Sequence, residues 1–179
     1  MEFQTLIESR RSIRAYDPER MVTPDQLEEI VNAAIQAPSW KNDQTARYYC
    51  IMDKQMREKF LRECLPEMNA KSANNAALVV TSFVSNLTGF NKKTGEPDNE
   101  CGNGWGFYDL GLHNEIFILK AKELGLDTLI MGLRDADKIR TMLDIPDTET
   151  IVSVIALGYA TKESAKPKRK EVGDILKFY

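Results

Sequence analysis

Apolar residues recur at helical spacing in several segments of the chain. The clearest helix is predicted over 24–37, because Thr23 is a suitable N-cap and Gln26 closes a capping box. A buried helix is predicted over 107–124, where apolar residues occupy nearly every face and Gly125 follows as a C-terminal cap. Further helices are predicted over 3–14, 54–64 and 135–144.

Four other segments have the composition of β-strands. The segment 46–52 is rich in aromatic and β-branched residues. The segments 77–84 and 151–157 are apolar on both faces, which predicts strands covered from both sides, and a short strand is predicted over 126–131. Strands interleaved with helices indicate a single α+β domain over 1–179, with helices on both faces of one sheet.

Two segments lack a regular pattern. The segment 86–106 is rich in glycine and asparagine and predicts a long loop, a feature that is uncommon in compact domains and is often functional. The tail over 162–179 is lysine-rich and then becomes apolar up to Tyr179. We expect this apolar end to be buried by docking onto a second subunit.

The composition is that of an ordinary globular protein and narrows the possible partners. Of 179 residues, 24 are Lys or Arg and 27 are Asp or Glu, for a net charge of −3, which argues against binding nucleic acid or an anionic membrane through the overall field. No apolar stretch is long enough to span a membrane, and charges interrupt the N-terminal segment where a signal peptide needs its apolar core. We therefore expect a cytoplasmic protein.

The cysteines and the single histidine give no sign of a metal site. Cys50, Cys64 and Cys101 are widely spaced without a CxxC motif, and His113 is the only histidine, so a zinc site is not expected. Each cysteine is interpreted as a buried small hydrophobe, and His113 as a satisfied core residue. A hydrolase built on a histidine triad is improbable for the same reason, and P-loop and GxGxxG motifs are absent.

Two basic clusters lie at opposite ends of the chain. In the first, Arg10-Arg11-Ser12-Ile13-Arg14, a helix would place Arg10 and Arg14 on one face, where a bound phosphate would relieve their repulsion. The alternative is a solvated basic helix end. The second cluster occupies 166–170, and taken alone it is either a solvated surface or a nucleic-acid-binding tail.

A polar loop follows the helix predicted over 24–37. Ser39, Asn42 and Gln44 provide both hydrogen-bond donors and acceptors, which suits the polar edge or sugar chain of a cofactor. An ordinary polar loop is the alternative.

Taken in this order, these features resemble the FMN-dependent nitroreductase family over essentially the whole chain. The resemblance rests on five groups of residues: Arg10 to Arg14 with Tyr16-Asp17, Ala37-Pro38-Ser39 with Asn42 and Gln44, Asn69 before the strand at 76–80, Leu124 to Thr128 leading to Met131-Gly132, and Pro167 to Lys170. It implies a central mixed, largely antiparallel sheet sandwiched by helices. It also implies a domain-exchanged homodimer in which 162–179 wraps the partner subunit.

The resemblance also implies FMN as the cofactor and assigns residues to it. The phosphate would be held by Arg10, Ser12, Arg169 and Lys170, and Arg14 would face the N1/O2 edge of the flavin. The ribityl chain and pyrimidine edge would take Ser39, Asn42 and Asn69, with Gln44 close by, while the backbone of Met131, Gly132 and Leu133 would face N5 and O4. The implied set of contacts is completed by Arg11 and Pro38.

The implied activity is ping-pong hydride transfer at flavin N5, without a catalytic side chain from the protein. NADH or NADPH would be the donor, and a small electron-poor molecule such as a nitroaromatic, quinone or enone the acceptor. Candidates for shaping the shared pocket are Trp40, Lys41, Trp105 and Phe107. The first alternative is a flavin-binding store or sensor without turnover, and the second is a nucleic-acid binder that holds no flavin.

Overall fold

The computed structural model describes residues 2–179 and has an α+β architecture. Its helices are α1 (Phe3–Ser9), α2 (Pro24–Ala34), α3 (Lys54–Cys64), α4 (Glu67–Ser72), α5 (Gly104–Glu123), α6 (Ala136–Leu143) and α7 (Val172–Ile175), with a 3₁₀ turn at Trp40–Asn42. Its strands are β1 (Ala46–Ile51), β2 (Ala77–Val84), β3 (Asp127–Met131) and β4 (Glu149–Gly158).

The four strands form one sheet in the order β1-β2-β4-β3, and every neighbouring pair is antiparallel. The expected mixed sheet is therefore corrected. Within 2–179 its only parallel element is an isolated bridge between Ser12 and Thr128, at the outer edge of β3. The connections between neighbouring strands are long and contain helices. Helices cover both faces of the sheet.

Alternation along the central strands builds a core on each face. Leu78 and Val80 of β2 face one core, which α3 and α6 complete, and Val79 faces the other, which α2 and α5 complete. All three side chains are fully buried. The two-sided burial of 77–84 accounts for the apolar residues on both of its faces, as the sequence predicts.

Local signals place several helix boundaries correctly. The capping box at the start of α2 is present, with the Gln26 amide N–H donating to Thr23 Oγ1 over 3.2 Å. Gly125 adopts φ +78° directly after α5, in the left-handed region that favours glycine. Two short helices, α4 and α7, lack a clear periodic signal and were not predicted.

The first helix is shorter than predicted, because α1 ends at Ser9 and the basic cluster that follows is extended. Ile13 donates its backbone N–H to the Thr128 carbonyl over 3.0 Å, and its side chain is 97% buried. Pairing with the edge of β3 thus replaces helix from Arg10 onward. The expected placement of Arg10 and Arg14 on one helical face is wrong.

The predicted loop over 86–106 is also shorter, because α5 already begins at Gly104. A Cβ on Gly106 would lie 2.3 Å from the Phe83 ring, so glycine here permits close helix packing rather than a turn. Cys64 is buried as expected, whereas Cys50 and Cys101 are exposed, which corrects the interpretation of those two cysteines. Across 2–179, no helix combines the length and apolar character needed to cross a membrane.

Candidate functional site

The two basic clusters meet in one cavity of about 310 Å³. Arg10, Arg14 and Arg169 line it together, although the sequence separates the first two from the third by most of the chain. The remaining lining residues are Arg11, Ser12, Ser164, Ala165 and Pro167. Lys170 is exposed and does not belong to this lining.

Extended backbone explains how both ends of the chain reach the cavity. Side chains alternate along 10–14, so the burial of Ile13 leaves its neighbours Ser12 and Arg14 exposed. The C-terminal segment runs beside them: Thr161 donates its N–H to the Ala15 carbonyl over 3.1 Å, and Ser164 Oγ donates to the Ser12 carbonyl over 3.3 Å.

The cavity has a net positive charge that the protein does not neutralise. Among residues 2–179, no carboxylate lies within salt-bridge distance of Arg10, Arg14 or Arg169. Arg11 Nη1 donates to the Glu8 and Arg10 carbonyls over 2.7 Å, whereas Arg14 Nη1 and Arg169 Nη1 make only longer bonds of 3.4 Å, to the Ser12 and Pro167 carbonyls. Unpaired guanidinium groups around a small cavity fit a phosphate, which they can hold through charge-assisted hydrogen bonds.

A second group of predicted residues lies just beyond the end of β3. Asn69 of α4 donates through Nδ2 to the Leu133 carbonyl over 2.9 Å, and Arg134 donates to the Gly132 carbonyl over 2.8 Å. Met131 is buried, whereas Leu133 is 69% exposed. These bonds hold the backbone of 131–133 in place at the surface.

The third group is the loop over 38–44, which has an unusual backbone. Lys41, Asn42 and Gln44 adopt φ of 48°, 58° and 50°, although none of them is glycine. The Gln44 N–H donates to Ser39 Oγ over 3.1 Å. Pro38, at the start of the loop, is exposed. Such left-handed residues persist only where surrounding contacts hold them.

Aromatic side chains cover this loop from the start of α5. The Trp40 and Trp105 ring centroids lie 4.6 Å apart, and Tyr108 contacts Trp105 at 5.7 Å. Lys41 forms an ion pair with Asp98 at 2.8 Å. Three of the four predicted pocket residues therefore cluster, and Tyr108 and Asp98 are additional members that the sequence pattern did not single out.

Phe107, the fourth predicted pocket residue, is 49% exposed and packs edge-on against Phe83, with ring centroids 5.0 Å apart. It therefore lies at the surface of α5, next to the aromatic cluster but outside the contacts that form it.

Within one chain, the loop over 38–44 is distant from the arginine cavity. Ser12 lies beside Thr128, whose partner on β4 is Leu157. Ala46, just after the loop, shares a row with Thr150 through β2. Ser12 and Ala46 are therefore separated by seven residues along the strand direction and by four strand-to-strand spacings across the sheet. At standard strand dimensions this separation is roughly 30 Å.

A buried polar pair lies behind the loop. Asp109 and His113 are both 3% exposed on successive turns of α5, and Asp109 Oδ2 accepts the Trp40 backbone N–H over 2.9 Å. Burial lowers the pKa of His113, an effect that the Asp109 carboxylate partly opposes. Neither ring nitrogen of His113 has a hydrogen-bond partner among residues 2–179, so His113 is buried as predicted but is not satisfied there.

Stability should therefore fall in mild acid because of His113. Its unfolded form gains a proton below pH 6.5, whereas the folded form stays neutral to a lower pH, so the contribution is present above 6.5 and is lost below it. The free energy of unfolding should decrease by up to about 1.4 kcal/mol per pH unit there. Urea unfolding between pH 5.5 and 7.5 would measure this slope, and His113→Phe, which removes the only histidine, should flatten it. An equal slope in both proteins would contradict the assignment.

Comparisons with known proteins agree with this architecture. The model of the nitroreductase family matches residues 7–159. MhqN of Bacillus subtilis, which is named an NAD(P)H nitroreductase, is 25% identical over an alignment that covers 99% of this chain and 98% of MhqN.

Two solved structures have the same fold over nearly the whole chain. An oxidoreductase containing FMN superposes with a TM-score of 0.80 at 26% identity, covering 98% of this chain and 91% of its own. A protein of Exiguobacterium sibiricum, described as a nitroreductase and solved in complex with FMN, reaches a TM-score of 0.82 at 20% identity, covering 100% and 98%. With an α+β fold shared along its full length and a family model matched over 7–159, this chain belongs to the nitroreductase family.

Proposed function

We propose that this protein is an FMN-dependent NAD(P)H oxidoreductase that reduces a small electron-poor acceptor such as a nitroaromatic, quinone or enone. The observation that carries the proposal is the cavity between the two ends of the chain, where Arg10, Arg14 and Arg169 meet without a carboxylate partner in the described chain. Its size and charge fit the phosphate end of FMN better than an apolar ligand.

The protein's own groups have distinct tasks around the cofactor. Arg10, Ser12 and Arg169 hold the phosphate, with Lys170 adding charge beside them. Arg14 carries a guanidinium group, which can stabilise negative charge at the N1/O2 edge of the ring. Asn69 fixes the Leu133 carbonyl, which keeps the 131–133 backbone oriented toward the ring.

Bound FMN would supply the redox chemistry, in which a hydride from NADH or NADPH would be transferred on to the acceptor after the donor had left. This chemistry needs no protein nucleophile or general base, which agrees with the chain's lack of a catalytic triad. What the protein supplies is binding, orientation and charge.

The functional unit in this proposal is a homodimer with FMN at the interface. The loop over 38–44 lies roughly 30 Å from Ser12 in its own chain, farther than one FMN molecule extends. Ser39, Asn42 and Gln44 therefore serve the flavin held by the partner subunit. Each site then needs both chains.

Uncovered apolar surface supports the same assembly. On α1, Phe3 is 68% exposed, and α5, against which α1 packs, is apolar nearly all round but presents Tyr108 outward at 60% exposure. The tail stays on its own chain as far as Arg169, and beyond it Phe178 is 88% exposed. In a dimer the partner covers these side chains.

The acceptor pocket of the proposal is formed by the aromatic cluster and its neighbours. Trp40 and Trp105 provide flat apolar surfaces for a planar acceptor, and Phe107 extends this surface along α5. Lys41 Nζ lies 5.5 Å from the Trp40 ring centroid, and its charge is partly balanced by Asp98.

Anaerobic titration with NADPH and NADH tests the proposed function. The purified protein should be yellow, its flavin absorption should bleach on addition of one of the donors, and the absorption should return when a nitroaromatic or a quinone is added. A bound flavin that neither donor reduces would overturn the enzyme and favour a flavin store or sensor. A colourless protein that does not take up added FMN would overturn flavin binding itself.

A further inference from the structure

We propose that Asp109 is a positioning residue, whose buried carboxylate holds the loop over 38–44 in the conformation that contacts the flavin. The inference rests on the proposed function for the role of the loop. That Asp109 positions the loop is inferred from the geometry of the chain alone.

The contact between Asp109 and the loop is direct and enclosed. Asp109 Oδ2 accepts the Trp40 backbone N–H over 2.9 Å, and the whole residue is only 3% exposed. Burial raises the pKa of Asp109, the Thr88 side chain opposes that rise, and Thr88 Oγ1 in turn lies 3.2 Å from Thr45 Oγ1. The carboxylate thus joins α5 directly to Trp40 within the loop.

The loop needs such an anchor because its backbone is strained. Three non-glycine residues, Lys41, Asn42 and Gln44, have positive φ, and each such residue is less stable than in an ordinary conformation. Inside the loop, the bond from the Gln44 N–H to Ser39 Oγ closes the turn without connecting it to the rest of the protein. The Asp109 bond attaches the backbone of the loop to the rest of the protein through a buried carboxylate.

Two ion pairs and a ring contact also attach the loop. Lys41 is paired with Asp98 and Asp43 with Lys92; both lysine side chains are more than half exposed, whereas the Asp43 side chain is only 3% exposed. An exposed ion pair such as Lys41–Asp98 contributes little in water. The Trp40 and Trp105 rings hold the loop through packing, which does not fix the direction of the backbone N–H.

Four variants of the protein, two test variants and two controls, test this role. Asp109→Leu keeps a similar size but removes the acceptor, whereas Asp109→Asn keeps a carbonyl that can still accept the Trp40 N–H. Glu149→Gln is the matched control, because Glu149 is another buried carboxylate with hydrogen bonds, from Tyr49 and Ser82, but it lies on the sheet. Arg10→Ala controls for the loss of flavin with Asp109 left in place.

The first readout is limited trypsin digestion, with mass spectrometry to locate cleavage after Lys41, which is exposed in the loop. Asp109→Leu should be cleaved there at least about tenfold faster than the wild type, as expected from the loss of one charge-assisted bond. Asp109→Asn should be cleaved only a few times faster, whereas Glu149→Gln and Arg10→Ala should resemble the wild type at this site. Cleavage after Lys41 that stays at the wild-type rate in both Asp109 variants would overturn the proposal.

The second readout is the FMN dissociation constant, measured by quenching of flavin fluorescence. Asp109→Leu should raise it about tenfold and Asp109→Asn about two- to threefold, with no change for Glu149→Gln. Faster cleavage with unchanged FMN affinity would overturn the link between this loop and the flavin. A wild-type protein that binds no FMN would refute the proposed function, and the cleavage result would still decide whether Asp109 places the loop. If Asp109→Leu does not fold, Asp109→Asn carries both readouts.

Discussion

Arg10→Ala and Arg169→Ala should each weaken FMN binding by about 10- to 100-fold, since each removes one or more charge-assisted hydrogen bonds worth about 1.5–3 kcal/mol apiece. The two residues come from opposite ends of the chain but line one cavity in the described structure, without a carboxylate to compete for them. Neither change removes a buried apolar contact, so both variants should remain folded.

The measurement is the flavin content of the purified variants and their dissociation constant for added FMN. Lys168→Ala is the matched control, because it removes a positive charge from the same tail but lies outside the lining of the cavity. It should retain flavin close to the wild-type level. Full flavin occupancy in both arginine variants would refute the phosphate site.

Mixing two defective chains should restore flavin binding if each site is shared. In the mixed dimer, one chain carries Arg10→Ala and the other carries Asn42→Ala. If Asn42 contacts the flavin held by the partner subunit, both defects lie in the same site. The other site is then intact, and the mixed dimer should bind about half the flavin of the wild type. The expectation follows from the separation of roughly 30 Å between Ser12 and the loop over 38–44 within a chain.

The experiment requires co-expression with two different tags, isolation of the mixed dimer, and the ratio of flavin to protein absorption. A mixed dimer of Arg10→Ala and Arg14→Ala is the control. Both of these residues line the same cavity, so every site in that dimer carries one defect and none should recover. Recovery in neither mixture, or equal recovery in both, would contradict a shared site.

Much of the fold was predictable because its signals are local. The capping box of Thr23 and Gln26 starts α2, and the segment 77–84, apolar on both faces, forms a strand covered on both faces. Gly125 ends α5 in the left-handed conformation that few other residues adopt without strain. In each case the residues that determine the structure are neighbours in sequence.

The basic clusters were predictable in identity, and the resemblance implied their shared phosphate, but the local conformation of the first cluster was not predictable. The order of the motifs identified the family resemblance, and the family match confirms it. However, helical spacing was the wrong geometry for Arg10 and Arg14, because Ile13 pairs with Thr128, more than 110 positions away. No local pattern contains that partner.

The sequence alone therefore determined where most helices and strands lie, which family the chain belongs to, and which polar residues were candidates for a cofactor. The family resemblance implies that Arg10 and Arg169 share one phosphate, and both line one cavity in the structure. Only the tertiary structure decided that the loop over 38–44 lies far from this cavity and that Asp109 bonds to the loop backbone. The physical reason is the range of the interactions. Capping and periodicity act within a few residues, whereas strand pairing and buried hydrogen bonds join groups whose proximity depends on the whole fold.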